Sequence, residues 1–117
     1  MENREAVSAL AALAQDNRLD IFRLLVQAGP EGMAAGQVAE RLGLAPNTLT
    51  FHFDRLRFAG LVTVRRNGRS MIYAARFEAM NNLVSFLTEN CCQGAPEKCA
   101  PMPVCKPVRR KPTNVAS

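Results

Sequence analysis

The chain of 117 residues carries 15 Lys or Arg and 10 Asp or Glu, a net charge of +5 with an isoelectric point near 9.5. This length excludes a large multidomain enzyme and fits one small basic domain. Because so short a chain buries a limited share of its apolar surface, dimerisation would help by burying more of it. No run approaches the roughly 18 apolar residues of a membrane span, and the N-terminus lacks the pattern of a signal peptide. We therefore expect no membrane association and a cytoplasmic location.

The basic charge and the cysteines are unevenly distributed along the chain. Residues 1–90 contain ten arginines and nine acidic residues, whereas residues 91–117 contain five basic residues and Glu97. All four cysteines lie in that second segment, which prolines at five positions also interrupt. We predict a folded domain over 1–90, followed by a basic Cys- and Pro-rich tail over 91–117.

Apolar spacing predicts four helices before residue 60. The first runs from Arg4 to Ala14, and Asp16 or Asn17 is expected to cap the second, which Gly29-Pro30 ends. A third covers 35–42 and ends at Gly43. After a turn, Asn47 is expected to cap a fourth helix that reaches Ala59 and turns Leu49, Phe53 and Leu56 inward.

A β-hairpin and a last helix complete the predicted domain. Two β-rich runs flank Asn67-Gly68, a strong hairpin signal because a type I′ turn requires positive φ at both central residues. A final helix is predicted from Arg76 to Asn90. The predicted fold is mainly α with a β-hairpin wing, a winged helix-turn-helix.

The fourth helix and the hairpin carry residues suited to DNA. Five arginines and a single acid, Asp54, fall within residues 54–69, although the rest of the first 90 residues is net acidic. Short polar side chains near a helix N-terminus suit base edges, and arginines suit phosphates. Phe51 either meets a thymine methyl or lies at the rim of the core, and His52 either donates to a phosphate or has a structural role. The candidate DNA-binding residues are Asn47, Thr48, Thr50, Phe51, His52, Arg55, Arg65, Arg66 and Arg69.

Residues 49–56 and 59–62, followed by Arg65-Arg66-Asn67-Gly68-Arg69 and Tyr73, resemble the recognition helix and wing of the ArsR/SmtB family of bacterial metalloregulatory repressors. Residues 13–21 are similar to the opening of that family. The resemblance implies a homodimeric repressor that leaves an operator with an imperfect inverted repeat when an inducer binds. It also implies dimerisation through the first and last helices, which suits their apolar residues. These residues are Leu10, Leu13, Met80, Leu83 and Leu87, and the alternative for each is burial within one subunit.

The cysteine cluster indicates a soft-ion site, because thiolates select soft ions and cytoplasmic cysteine clusters more often bind metals than form disulfides. The chain lacks the family's usual cysteine pair before the recognition helix, and residues 76–90 contain no histidine for a zinc-type site. It is similar instead to an arsenic-responsive branch whose last helix runs into Asn-Cys-Cys with a third cysteine nearby. That resemblance implies Cys91, Cys92 and Cys99 as the inducer site, with Cys105 either a spare thiol or a fourth ligand.

The sequence therefore predicts an operator-binding repressor of arsenical resistance, released by As(III) or alternatively Sb(III), with no required cofactor. The alternatives are a response to thiol oxidation or to Cd, Pb or Zn, and a winged helix that binds protein. An enzyme is not expected, because the chain has one histidine and no G-x-x-x-x-G-K phosphate loop.

Overall fold

The computed structural model describes residues 1–94 and contains five helices, three short strands and a terminal 3-10 turn. Among these residues no helix combines the length and apolar character that crossing a membrane requires. The predicted winged helix-turn-helix architecture is confirmed. The elements are α1 Asn3–Leu13, α2 Asp16–Ala28, β1 Met33–Ala34, α3 Ala35–Leu42, α4 Pro46–Phe58, β2 Val62–Asn67, β3 Ser70–Ala75, α5 Phe77–Leu87 and the 3-10 turn Cys91–Gly94.

The helix boundaries differ from the predicted ones where capping was misjudged. The cap of α2 is Gln15, whose side chain accepts a hydrogen bond from the Arg18 amide, so the expected Asp16 or Asn17 cap is wrong. The cap of α4 is Ala45, and Asn47 lies inside the helix. Pro46 explains this shift, since its fixed φ suits the first helical position and keeps the preceding residue extended.

The wing is one strand larger than predicted. The sheet has the order β1-β3-β2 with antiparallel pairing, and Met33 of β1 pairs with Tyr73 of β3. Asn67 pairs with Ser70, so the two turn residues are Gly68 and Arg69 rather than Asn67-Gly68. Of these two, Gly68 alone has positive φ, and the expected type I′ turn is therefore wrong.

The core lies where α1, α2 and α4 meet the sheet. Ile21 and Leu25 of α2 and Leu56 of α4 are fully buried. The buried face of α1 consists of Ala6, Ala9 and Ala12, whose small side chains allow neighbouring helices to approach closely. The last helix ends at Leu87, three residues before the expected Asn90.

Candidate functional site

The recognition helix α4 has one face in the core and one face in solvent. Its core face consists of Leu49, Phe53 and Leu56, as predicted. The opposite face is exposed, and Phe51 retains 55% of its accessible surface. The polar candidates on this exposed face are Asn47, Thr48, Thr50 and Arg55.

Arginine side chains stack on the exposed aromatic rings of α4. The Arg55 guanidinium lies 5.6 Å from the centre of the Phe51 ring, and Arg57 lies 5.4 Å from that of Phe58. Arg57 also pairs with Asp54 at 3.3 Å. The cation–π contact places the charge of Arg55 beside the apolar ring of Phe51, which can meet a base. Arg55 and Phe51 therefore form one continuous contact surface.

His52 is the candidate that the structure separates from the others. It is buried, while Thr50, Phe51 and Arg55 around it are exposed. Its Nδ1 lies 3.5 Å from Nη1 of Arg18 in α2. Arginine can only donate, so His52 accepts at Nδ1, and its ring must be unprotonated there. Burial lowers the pKa of His52, and the positive charge of Arg18 lowers it further. This position favours the structural alternative for His52.

The hairpin presents its three arginines in different ways. Arg65 donates to the carbonyl of Glu31 at 3.0 Å and so ties β2 to the loop before β1. Arg66 donates from Nε to the carbonyl of Gly68 at 3.3 Å, within the turn. Arg69 occupies the turn itself and is exposed. All three arginines are exposed.

An aromatic stack fixes the wing to the recognition helix. The rings of Phe53 in α4 and Tyr73 in β3 are parallel, with centres 3.6 Å apart. Burial and the nearby Asp54 carboxylate raise the pKa of Tyr73, which keeps its hydroxyl neutral. Since the sheet and α4 share this stack, the wing arginines and the exposed face of α4 are held in one arrangement.

The cysteine pair lies shortly after the last helix, separated from it by residues 88–90. Cys91 and Cys92 lie in the 3-10 turn, and their sulfurs are 3.4 Å apart. Two sulfurs that each lie about 2.3 Å from one ion can be this close, so the pair fits two of the three predicted ligands. Within residues 1–94 no three potential ligand side chains form a metal cluster. Cys99 and Cys105 lie outside the described residues.

A recognition helix joined to a basic hairpin defines a winged helix-turn-helix domain. Residues 13–65 match the family described as a helix-turn-helix domain. The chain is similar to the nodulation protein NolR of Rhizobium meliloti, with 32% identity over 72% of this chain and 66% of NolR.

Two solved structures extend the comparison. HlyU of Vibrio cholerae is 30% identical, with a TM-score of 0.59, over 74% of this chain and 97% of that one. A homodimeric winged helix-turn-helix domain of Mycobacterium bovis, described as a possible ArsR-family regulator, is 25% identical, with a TM-score of 0.59, over 81% of this chain and 94% of that one. The chain therefore belongs to the helix-turn-helix regulators that include HlyU, and it is similar to the possible ArsR-family regulator of Mycobacterium bovis.

Proposed function

We propose that the chain is a homodimeric repressor that binds an operator and is released when trivalent arsenic binds Cys91, Cys92 and Cys99. The observation that carries the ligand assignment is the 3.4 Å separation of the sulfurs of Cys91 and Cys92, which lie four and five residues after the end of the last helix. A third thiolate from Cys99 would complete a pyramidal site suited to As(III), with Sb(III) as the alternative ion.

Operator binding is assigned to the exposed face of α4 and to the wing. Asn47, Thr48 and Thr50 lie in the first turns of the helix, where short polar side chains can reach base edges. Arg66 and Arg69 at the wing, with Arg55 on the helix, carry charge suited to phosphates. Two such surfaces related by a two-fold axis would read an imperfect inverted repeat with half-sites about 34 Å apart.

The homodimer is assigned to the outer faces of α1 and α5. Val7 and Leu10 of α1 are 56% and 43% exposed, and Val84 and Leu87 of α5 are 45% and 58% exposed. Burying these apolar side chains in a dimer interface would stabilise the dimer by about 25 cal/mol for each Å² of apolar surface removed from water. A second copy with the same apolar faces is their natural partner.

Induction follows from the position of the cysteines beside this dimer face. Binding of the ion would fix the chain after Leu87 and so bias the arrangement of the two α5 helices. A coupling of about 1–3 kcal/mol, or 5- to 150-fold in operator affinity, is typical of such regulation. By reciprocity, operator DNA weakens binding of the ion by the same factor.

The test is a mobility-shift titration of the reduced protein on an operator selected from a random duplex library. Arsenite should release the wild-type protein, and serine at Cys91, Cys92 or Cys99 should abolish this response while leaving binding without arsenite intact. Cys105→Ser is the matched control and should respond as wild type does. Unchanged operator affinity of the reduced wild-type protein in excess arsenite would refute the assignment.

A thiol redox response is the second candidate, because Cys92 is exposed and accessible thiols are the ones that oxidise. It predicts release by peroxide and no effect of arsenite under reducing conditions. The same titration with both agents therefore distinguishes the two functions, and Cd(II), Pb(II) or Zn(II) in parallel samples tests the other soft ions.

A further inference from the structure

Arg18 lies where three helices meet. It belongs to the first turn of α2, and its Nε donates to the carbonyl of Ala12 at the end of α1 at 2.6 Å. Its Nη1 lies 3.5 Å from Nδ1 of His52 in the recognition helix. One side chain thus contacts both α1 and the recognition helix α4.

The contacts require the particular chemistry of an arginine. The carbonyl of Ala12 is among the last four of α1, which have no partner within their own helix. A guanidinium can bond this oxygen and the imidazole together, because its donors point in several fixed directions, whereas a lysine offers a single flexible ammonium group. The Gln15 side chain accepts from the Arg18 amide at 3.0 Å and fixes the backbone from which the side chain starts.

Because His52 belongs to α4, its contact with Arg18 also fixes the orientation of the outer face of that helix. It lies directly after Phe51 and one turn before Arg55, both of which are exposed candidates for DNA contact. The helix is a continuous hydrogen-bonded unit, so rotation that moves His52 away from Arg18 also turns Phe51 and Arg55 relative to the rest of the domain.

We propose that Arg18 is a positioning residue for operator binding, which sets the orientation of the recognition helix by joining His52 to the end of α1. This proposal rests on the proposed DNA-binding function. It makes the geometry of the DNA-facing surface depend on α1, a helix assigned to the dimer face, through a contact that itself touches no DNA.

The contact is also sensitive to the protonation of His52. Arg18 approaches the ring from α2, the uncharged Phe51 ring contacts it from α4 with ring centres 5.7 Å apart, and α1 contributes only the neutral carbonyl of Ala12, which bonds Arg18. A proton on Nδ1 would remove the acceptor and place a second positive charge beside Arg18. Operator affinity should therefore fall at acid pH through this contact.

The experiment measures the affinity of full-length variants for the selected operator and for a random duplex. Arg18→Gln and His52→Leu should each weaken operator binding about tenfold, with a much smaller effect on the random duplex, because positioning acts on base readout. The double variant should lose no more than either single one. Arg23→Gln, which removes the same charge from the exposed side of α2, is the matched control and should bind as wild type does.

A conservative variant separates positioning from simple loss of stability. His52→Gln keeps an acceptor for Arg18 and should retain more operator affinity than His52→Leu, while losing the fall in affinity between pH 7.5 and about pH 5.5. Thermal melts of all variants identify any that unfold. Additive losses, or equal losses on operator and random duplex in folded variants, would overturn the role of Arg18. Failure of the wild-type protein to bind DNA at all would instead refute the proposed function.

Discussion

Removal of Arg69 tests most directly whether the wing contacts DNA phosphates. This residue occupies the turn between β2 and β3, is exposed, and makes no hydrogen bond or ion pair within residues 1–94. Arg69→Gln should therefore leave the free energy of unfolding within about 0.5 kcal/mol of wild type. Any change in DNA binding then reports the lost contact itself.

The magnitude follows from counterion release. Each arginine–phosphate contact contributes about 0.9 to the slope of log affinity against log salt concentration, and a dimer carries two copies of Arg69. The slope of the variant should be smaller by about 1.8. Between 50 and 200 mM salt, wild type should thus lose about twelvefold more affinity than the variant does.

Fluorescence anisotropy with a labelled duplex over this salt range measures both slopes. Because the phosphate term is independent of sequence, the change in slope should be the same on the operator and on a random duplex. Arg23→Gln provides the matched control, with the same loss of charge on α2 and no expected change in slope. Equal slopes for Arg69→Gln and wild type would show that the wing turn does not contact phosphate.

Three further predictions concern stability and assembly. Gly32→Ala should lower the free energy of unfolding in urea by about 1–3 kcal/mol, because the residue has positive φ and an added Cβ would meet the backbone oxygen of Tyr73; unchanged stability would contradict this. Leu87→Asp should convert the dimer to monomer in sedimentation experiments, whereas a persistent dimer would exclude α5 from the interface. Since the pKa of His52 is lowered in the folded protein, its stabilising contribution is complete above pH about 6.5 and is lost as the pH falls through the folded value. Urea titrations across pH should therefore show a steeper acid loss for wild type than for His52→Gln.

The burial of His52 could be predicted only in part from the spacing of apolar residues. Leu49, His52, Phe53 and Leu56 follow one helical stripe, so their spacing already places the histidine inward. The sequence alone did not settle whether His52 is buried, because a buried imidazole needs a hydrogen-bond partner. That partner, Arg18, lies 34 residues earlier in the chain. The helical spacing of these residues can be read within α4 itself, whereas the contact with Arg18 depends on how α2 packs against α4.

The same distinction explains the strand that was missed. The hairpin could be predicted because its strands are adjacent and joined by a glycine turn. Met33 and Ala34 become a strand only because β3, some forty residues later, offers an edge to pair with. Gly32 allows this approach, since its positive φ and missing side chain bring the loop against Tyr73. Local propensity in two residues cannot indicate such a pairing.

Helix α1 has one face in the core and one face in solvent, and the proposed function assigns the outer face to the dimer. Ala6, Ala9 and Ala12 form the face that packs into the subunit, while Val7 and Leu10 remain exposed for a partner. Small side chains place α1 close to its neighbours, so a displacement of α1 at the dimer face cannot be absorbed by long flexible side chains between the helices. The carbonyl of Ala12 also receives the Arg18 guanidinium that contacts the recognition helix. Under the proposed function, a ligand that alters the outer face of α1 would therefore reach the recognition helix through two contacts, Ala12 with Arg18 and Arg18 with His52.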